Sequence, residues 1–176
     1  LDIEGAPVVR HVVDAAMSSS VDQVVVVLGH EAHAVEEAIP RDERVRTVVN
    51  PDYRLGQSTS LRVGLDGLGP EVRAAVILLS DQPGITGNDV DAVVAAWREG
   101  RGPVVRASYS GHPGHPTLCD RSIWPQVREL RGDVGVRALL KEHPDWEATV
   151  EVGGAPPPDI DTEEDYARVR ESLHGP

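Results

Sequence analysis

The chain has 176 residues, 17 Lys and Arg against 29 Asp and Glu, and a formal net charge of −12. That length fits one domain with a full core, while 40% hydrophobic against 26% charged residues excludes a disordered chain, and the acidic balance disfavours a nucleic-acid backbone binder. Cys119 is the one cysteine, which excludes an internal disulfide and fits a cytoplasmic setting; no apolar run approaches the ~20 residues of a membrane span, so no membrane partner is expected.

In chain order, Gly5-Ala6-Pro7 is turn-like and leads into a helical pattern over residues 8–18. Residues 23–29 (QVVVVLG) are continuously aliphatic, the pattern of a strand covered on both faces. A helix over 32–39, a weaker strand at 45–50, a polar loop and a helix over 60–68 follow. Residues 74–80 (AAVILLS) read as a second fully buried strand, then a helix over 88–99 with Asn88 as N-cap, and a weaker strand at 103–108. A helix over 134–142, a Pro/Gly connector at 153–158 (GGAPPP) and a helix over 163–173 complete the series. Thr162 and Asp165 make an S/T-x-x-D box at the start of that last helix. Strand, crossover helix and strand in alternation predict a single α/β domain of three layers, a mostly parallel sheet with helices on both faces. A doubly wound sheet normally starts with a strand whose following loop binds phosphate. A helix comes first here, so an N-terminal strand and loop are expected to be missing from the sequence as given.

Five segments carry polar groups suited to chemistry. Ser80-Asp81-Gln82-Pro83-Gly84 follows the most apolar strand, and ligands of open α/β sheets bind beyond the carboxyl ends of strands. A carboxylate at Asp81 suits Mg²⁺, which takes one or two protein carboxylates plus phosphate oxygens; a turn-initiating Asp is the plainer reading. Asp159-Ile160-Asp161-Thr162 offers a second carboxylate, or simply a helix cap. The 50–61 stretch, NPDYRLGQSTSL, is a polar loop with Gly56, Ser58 and Ser60 and two nearby arginines, Arg54 within it and Arg62 just after it. It offers hydroxyls and backbone N–H groups to a base or an anion, or caps its own helix. Gly111-His112-Pro113-Gly114-His115-Pro116 before Cys119 has the spacing of a partial zinc site, or of a glycine-proline loop near a ligand. Gly132-Asp133-Val134-Gly135-Val136-Arg137 opens a helix, with Asp133 as cap and Arg137 available to an anion.

Taken together, GAPVVRHVVDAA, VVVVLGHEA, NPDYRLGQSTSLRVGL, VILLSDQPGIT, GHPGHPTL, GDVGVRALL and DIDTEEDY resemble the MobA-like nucleotidyltransferases, in particular the molybdenum cofactor cytidylyltransferase branch. The resemblance runs through nearly the whole chain and implies a three-layer nucleotide-binding fold. It implies that Asp81 and Asp161 are the ligands of a catalytic Mg²⁺. Gly56, Ser58, Ser60 and Arg62 would then line the nucleotide, and Gly114, His115, Pro116, Asp133 and Arg137 the cofactor substrate. The implied reaction is CMP transfer from CTP to the terminal phosphate of molybdopterin, with a molybdenum hydroxylase apoenzyme as a further partner. GTP as donor, and a non-catalytic carrier of the finished cofactor, are the alternatives.

Overall fold

The structure is a computed structural model and describes residues 2–3, 5–160, 162 and 164–168. A short antiparallel pair, β1 (Asp2–Ile3) and β2 (Ala6–Pro7), leads into α1 (Val8–Ser18). Then come β3 (Val24–Leu28), α2 (Ala32–Ala38), β4 (Val45–Val49) and α3 (Gln57–Asp66). β5 (Ala74–Ile77), α4 (Gly87–Arg98), β6 (Val104–Tyr109) and β7 (His112–Asp120) form the middle of the chain. α5 (Trp124–Glu129), a 3₁₀ segment (Val136–Lys141) and β8 (Glu147–Glu151) follow.

β3 and β4 pair in parallel, Val24 opposite Val45 through Leu28 opposite Val49. A separate four-stranded sheet has the order β5-β7-β6-β8. It is mixed, because β7 runs antiparallel to both β5 and β6 while β6 and β8 are parallel. The departure from a mostly parallel arrangement comes from β7, where the sequence pattern predicts a glycine-proline loop. A strand is stabilised by its partners, and β7 gains ladders on both sides despite Pro113, Gly114 and Pro116. The prolines fall where β7 is more exposed or its register with β6 shifts, between Arg106 and Ala107.

Alternation along β6 and β7 builds the layers. Val104 and Cys119 face one core with Leu65 of α3, Trp124 and Val127 of α5, and Leu139 and Leu140 of the 3₁₀ segment. Their neighbours Val105 and Leu118 face the opposite core, against Val93, Val94 and Ala96 of α4. Both faces of the sheet are therefore covered, as a three-layer α/β domain requires. Fully burying an aliphatic side chain contributes roughly 1.5–3 kcal/mol, and Val93, Val104, Val105 and Val127 are all buried to that degree.

Local chemistry explains where elements differ from expectation. α4 is capped by Thr86, not Asn88. The Thr86 hydroxyl accepts from the Asp89 amide while the Asp89 carboxylate accepts from the Thr86 amide, and the reciprocal box outcompetes a lone Asn. The helix expected over 134–142 is a 3₁₀ segment instead, entered at Gly135, which is in extended conformation. α5 carries Pro125 in its first turn, where the missing N–H costs nothing. At the tail, Thr162 and Asp165 make the expected box, and residues 164–168 are helical. Ile160 and Tyr166 pack on Ile3 and Val8. No helix among the described residues is long and apolar enough to cross a membrane.

Candidate active site

The continuous apolar run of β5 ends at Ile77, and the chain then turns through Ser80 and Asp81 to Gln82. The tail returns to this turn. The Asp81 carbonyl accepts from the Ile160 amide at 3.1 Å, and the Gln82 side-chain amide donates to Asp159 Oδ1 at 2.5 Å. Gly84 lets Pro157 approach, since a Cβ there would sit 3.3 Å from the proline Cβ. His115, on β7, joins the same neighbourhood: its Nδ1 lies 3.1 Å from the Ile77 carbonyl. Burial pushes the His115 pKa below the ordinary histidine value, with the Arg106 guanidinium acting in the same direction and the Ile77 carbonyl and Asp159 opposing it. The Tyr109 hydroxyl donates to the His115 carbonyl at 2.8 Å, and burial pushes its own pKa up to about 12. Asp81, His115 and residues 159–160 thus converge at the carboxyl end of β5. Asp161, the other expected carboxylate, lies outside the described residues.

A second group forms around the start of α3. Gly56 has φ +106, and a Cβ on it would fall 2.3 Å from the Gly132 carbonyl carbon and 2.5 Å from the Asp133 nitrogen. Only glycine fits this approach. The Ser58 amide donates to the Gly132 carbonyl at 3.2 Å, and the Gln57 amide to Asp133 Oδ1 at 3.4 Å. The Asp133 carboxylate therefore sits at the amino end of α3, where the helix dipole favours a negative charge. Ser58 is fully buried, with no partner for its hydroxyl among the described residues.

Ser60 is part of a staple that the sequence did not disclose. Asn50, 1% exposed, donates from Nδ2 to Thr59 Oγ1 at 2.8 Å and to Ser60 Oγ at 3.0 Å, while its Oδ1 accepts from the Asp52 amide. Its type, a polar residue ending an apolar strand, was the available signal. Arg62 turns away from this loop, with Nη2 3.4 Å from the Leu130 carbonyl on the α5 side of α3. Arg137 is exposed. Beyond β3, His30, Tyr53 and Arg54 form an exposed cluster, the Tyr53 hydroxyl accepting from Arg54 Nε at 3.1 Å and lying 3.4 Å from His30 Nδ1.

The zinc reading of His112, His115 and Cys119 finds no support in the geometry. Cys119 is buried in the core, its thiol pushed up to about 12 by burial. Among the described residues no three His, Cys, Asp or Glu side chains gather to hold a metal. The oxygen donors at the end of β5 do fit a hard divalent cation that takes its remaining ligands from phosphate oxygens, a requirement of one or two carboxylates.

The family model described as the MobA-like NTP transferase domain matches residues 1–147. The chain is 31% identical over 169 residues to the purine catabolism protein PucB of Bacillus subtilis, covering 90% of this chain and 80% of the relative. It is 23% identical over 152 residues to the molybdenum cofactor cytidylyltransferase of Escherichia coli, covering 85% and 74%. Among solved structures, Rv0371c of Mycobacterium tuberculosis in complex with manganese superposes with a TM-score of 0.84 at 27% identity, over 97% of this chain and 90% of that one. The chain therefore belongs to the MobA-like NTP transferase family and is a nucleotidyltransferase.

Proposed function

We propose that this nucleotidyltransferase moves CMP from CTP to the terminal phosphate of molybdopterin and releases pyrophosphate, with a divalent cation, Mg²⁺ in the cell, held by Asp81 and Asp161. The observation that carries the reading is the hydrogen bond from the Ile160 amide to the Asp81 carbonyl, which brings the backbone next to one acid against the backbone of the other. The family membership and the manganese complex of the mycobacterial relative support a divalent cation in such a reaction.

Charge explains the arrangement. A phosphate monoester has a second pKa near ~6 and is largely dianionic at neutral pH, so it attacks the α-phosphorus of CTP without a general base. The new bond joins a molybdopterin phosphate oxygen to the α-phosphorus, and the bond to the bridging oxygen of pyrophosphate breaks. Two polyanions must meet on a chain of net charge −12, and a bound divalent cation supplies the screening that such phosphoryl chemistry uses. Asp81, in the turn that follows β5, contributes a carboxylate there, while the Gly56–Ser60 loop lies against the nucleoside. The Gly114-His115-Pro116 segment and the Gly132–Gly135 loop, with Arg137, face the acceptor. The product would pass to a molybdenum hydroxylase apoenzyme.

Asp81→Asn in the full-length protein is expected to keep its thermal melt and to lower pyrophosphate release by more than about 100-fold, beyond what outer-shell ligands of metals typically cost. Turnover at the wild-type rate removes Asp81 from the site. Calorimetric titration with CTP and GTP in the presence of Mg²⁺ tests the base, and tighter GTP binding makes the enzyme a guanylyltransferase.

A further inference from the structure

The fold leaves two lone pairs at the acceptor end of the site, each aimed by a neighbour that can only accept. The Ile77 carbonyl has no hydrogen to give, so the contact at His115 Nδ1 places the proton on that nitrogen. In a neutral imidazole Nε2 then carries the lone pair, and among the described residues Nε2 has no hydrogen-bond partner. Burial and Arg106 favour the neutral ring, with the Ile77 carbonyl and Asp159 acting against them. Gln82 repeats the pattern. Asp159 Oδ1 is an acceptor, so the Gln82 amide nitrogen faces it and Oε1 is turned away. That oxygen is buried without a partner among the described residues. A buried acceptor without a donor, as Gln82 Oε1 is, is rare in folded proteins and calls for an explanation. A phosphate oxygen would meet these atoms lone pair to lone pair, whereas an N–H or O–H group would satisfy them.

We propose that His115, together with Gln82, is a specificity-determining hydrogen-bond acceptor that reads an N–H or O–H donor on the body of the acceptor substrate. The site thereby selects phosphate monoesters that carry such donors over those that lack them. The assignment deepens the function proposed above and rests on it for the identity of the acceptor. It also explains why a histidine stands in a site for polyanions without being positively charged: its task is to contact the neutral part of the substrate.

The test is nitrogen-15 spectroscopy of the full-length protein carrying labelled histidine, with His115→Gln to assign the signals. At pH 7 the expected spectrum shows His115 protonated on Nδ1 with a lone-pair Nε2. Adding molybdopterin moves the Nε2 resonance in the direction of hydrogen-bond acceptance, and CTP alone does not. A hexose phosphate that moves it equally assigns the donor to hydroxyls instead of pterin N–H groups. In kinetics, His115→Leu is expected to raise KM for molybdopterin by about tenfold, the worth of one hydrogen bond, with KM for CTP unchanged. His115→Gln, whose amide oxygen accepts, recovers part of the loss. An Nε2-protonated or charged ring at pH 7 overturns the assignment, as does an equal response to ethyl phosphate, which has no donor on its body. Failure of the wild type to release pyrophosphate with molybdopterin overturns the proposed reaction alone, since the tautomer and the hexose and ethyl phosphate titrations still decide this one.

Discussion

Gly56 and Gly132 meet where two loops approach closely, yet they respond differently to the same substitution. A methyl group on Gly56 meets backbone atoms at 2.3–2.5 Å, whereas one on Gly132 meets nothing within 4 Å, although both residues have positive φ. Gly132→Ala therefore costs only backbone strain, about 1–2 kcal/mol. Gly56→Ala adds a clash that must separate the two loops, so its melting temperature is expected to fall further and its KM for nucleotide to rise. Thermal melts of the two variants side by side check this, and equal losses would refute it. At His115 the sign of the pH effect follows from its depressed pKa. The unfolded chain takes up the proton near ~6.5 and the folded chain only at lower pH. Its contribution to stability is therefore whole above ~6.5 and is lost as pH falls toward the folded value. Urea midpoints from pH 7.5 to 5 should fall more steeply in the wild type than in His115→Gln; parallel slopes would contradict the cause given. Of these residues, Gly56 and His115 stood out in the sequence because glycine and histidine in polar loops are chemically conspicuous. The staple role of Asn50 did not, because it exists only once β4 has brought Asn50 against Thr59 and Ser60.

Legibility at the scale of elements follows how local the stabilising forces are. β3 and β5 could be read directly, since an aliphatic run covered on both faces needs no partner to be recognised. β7 could not, because Pro113, Gly114 and Pro116 give it the pattern of a loop and the β5 ladder along one of its edges lies far off in sequence, although β6 on the other edge is its hairpin neighbour. β8 was missed because its ladder is to β6, more than 35 residues upstream. α5 was hidden by Pro125, a residue that breaks helices except in their first turn. The start of α4 moved from Asn88 to Thr86 because the side chain of Asp89 takes part in the cap. Thr86→Ala removes one half of that exchange, and a loss of about 0.5–2 kcal/mol is expected. Denaturant midpoints measure it; Asn88→Ala, by contrast, should leave them within ~0.5 kcal/mol of wild type, because Asn88 is exposed.

Across the whole molecule, the three-layer arrangement and the placement of Asp81 beyond β5 agree with the reading of the sequence, while the mixed character of the larger sheet arises from β7. The β3–β4 pair and the four-stranded sheet are held together by helices: α1 packs against both β3 and α4, and α3 against β3, β4 and α5. The tail takes part as well. Ile160 gives its amide to the Asp81 carbonyl and its side chain to the cluster of Ile3 and Val8, and the Tyr166 hydroxyl donates to the Asp2 carbonyl. The last described stretch of the chain thus fastens the first one, with the turn that carries Asp81 caught between them.

That fastening makes Ile160 a point of thermodynamic linkage. Whatever docks at Asp81 and favours the present course of its backbone must, by reciprocity, tighten the anchorage of the tail on Ile3 and Val8. Conditions that peel the tail away must weaken that docking by the same factor.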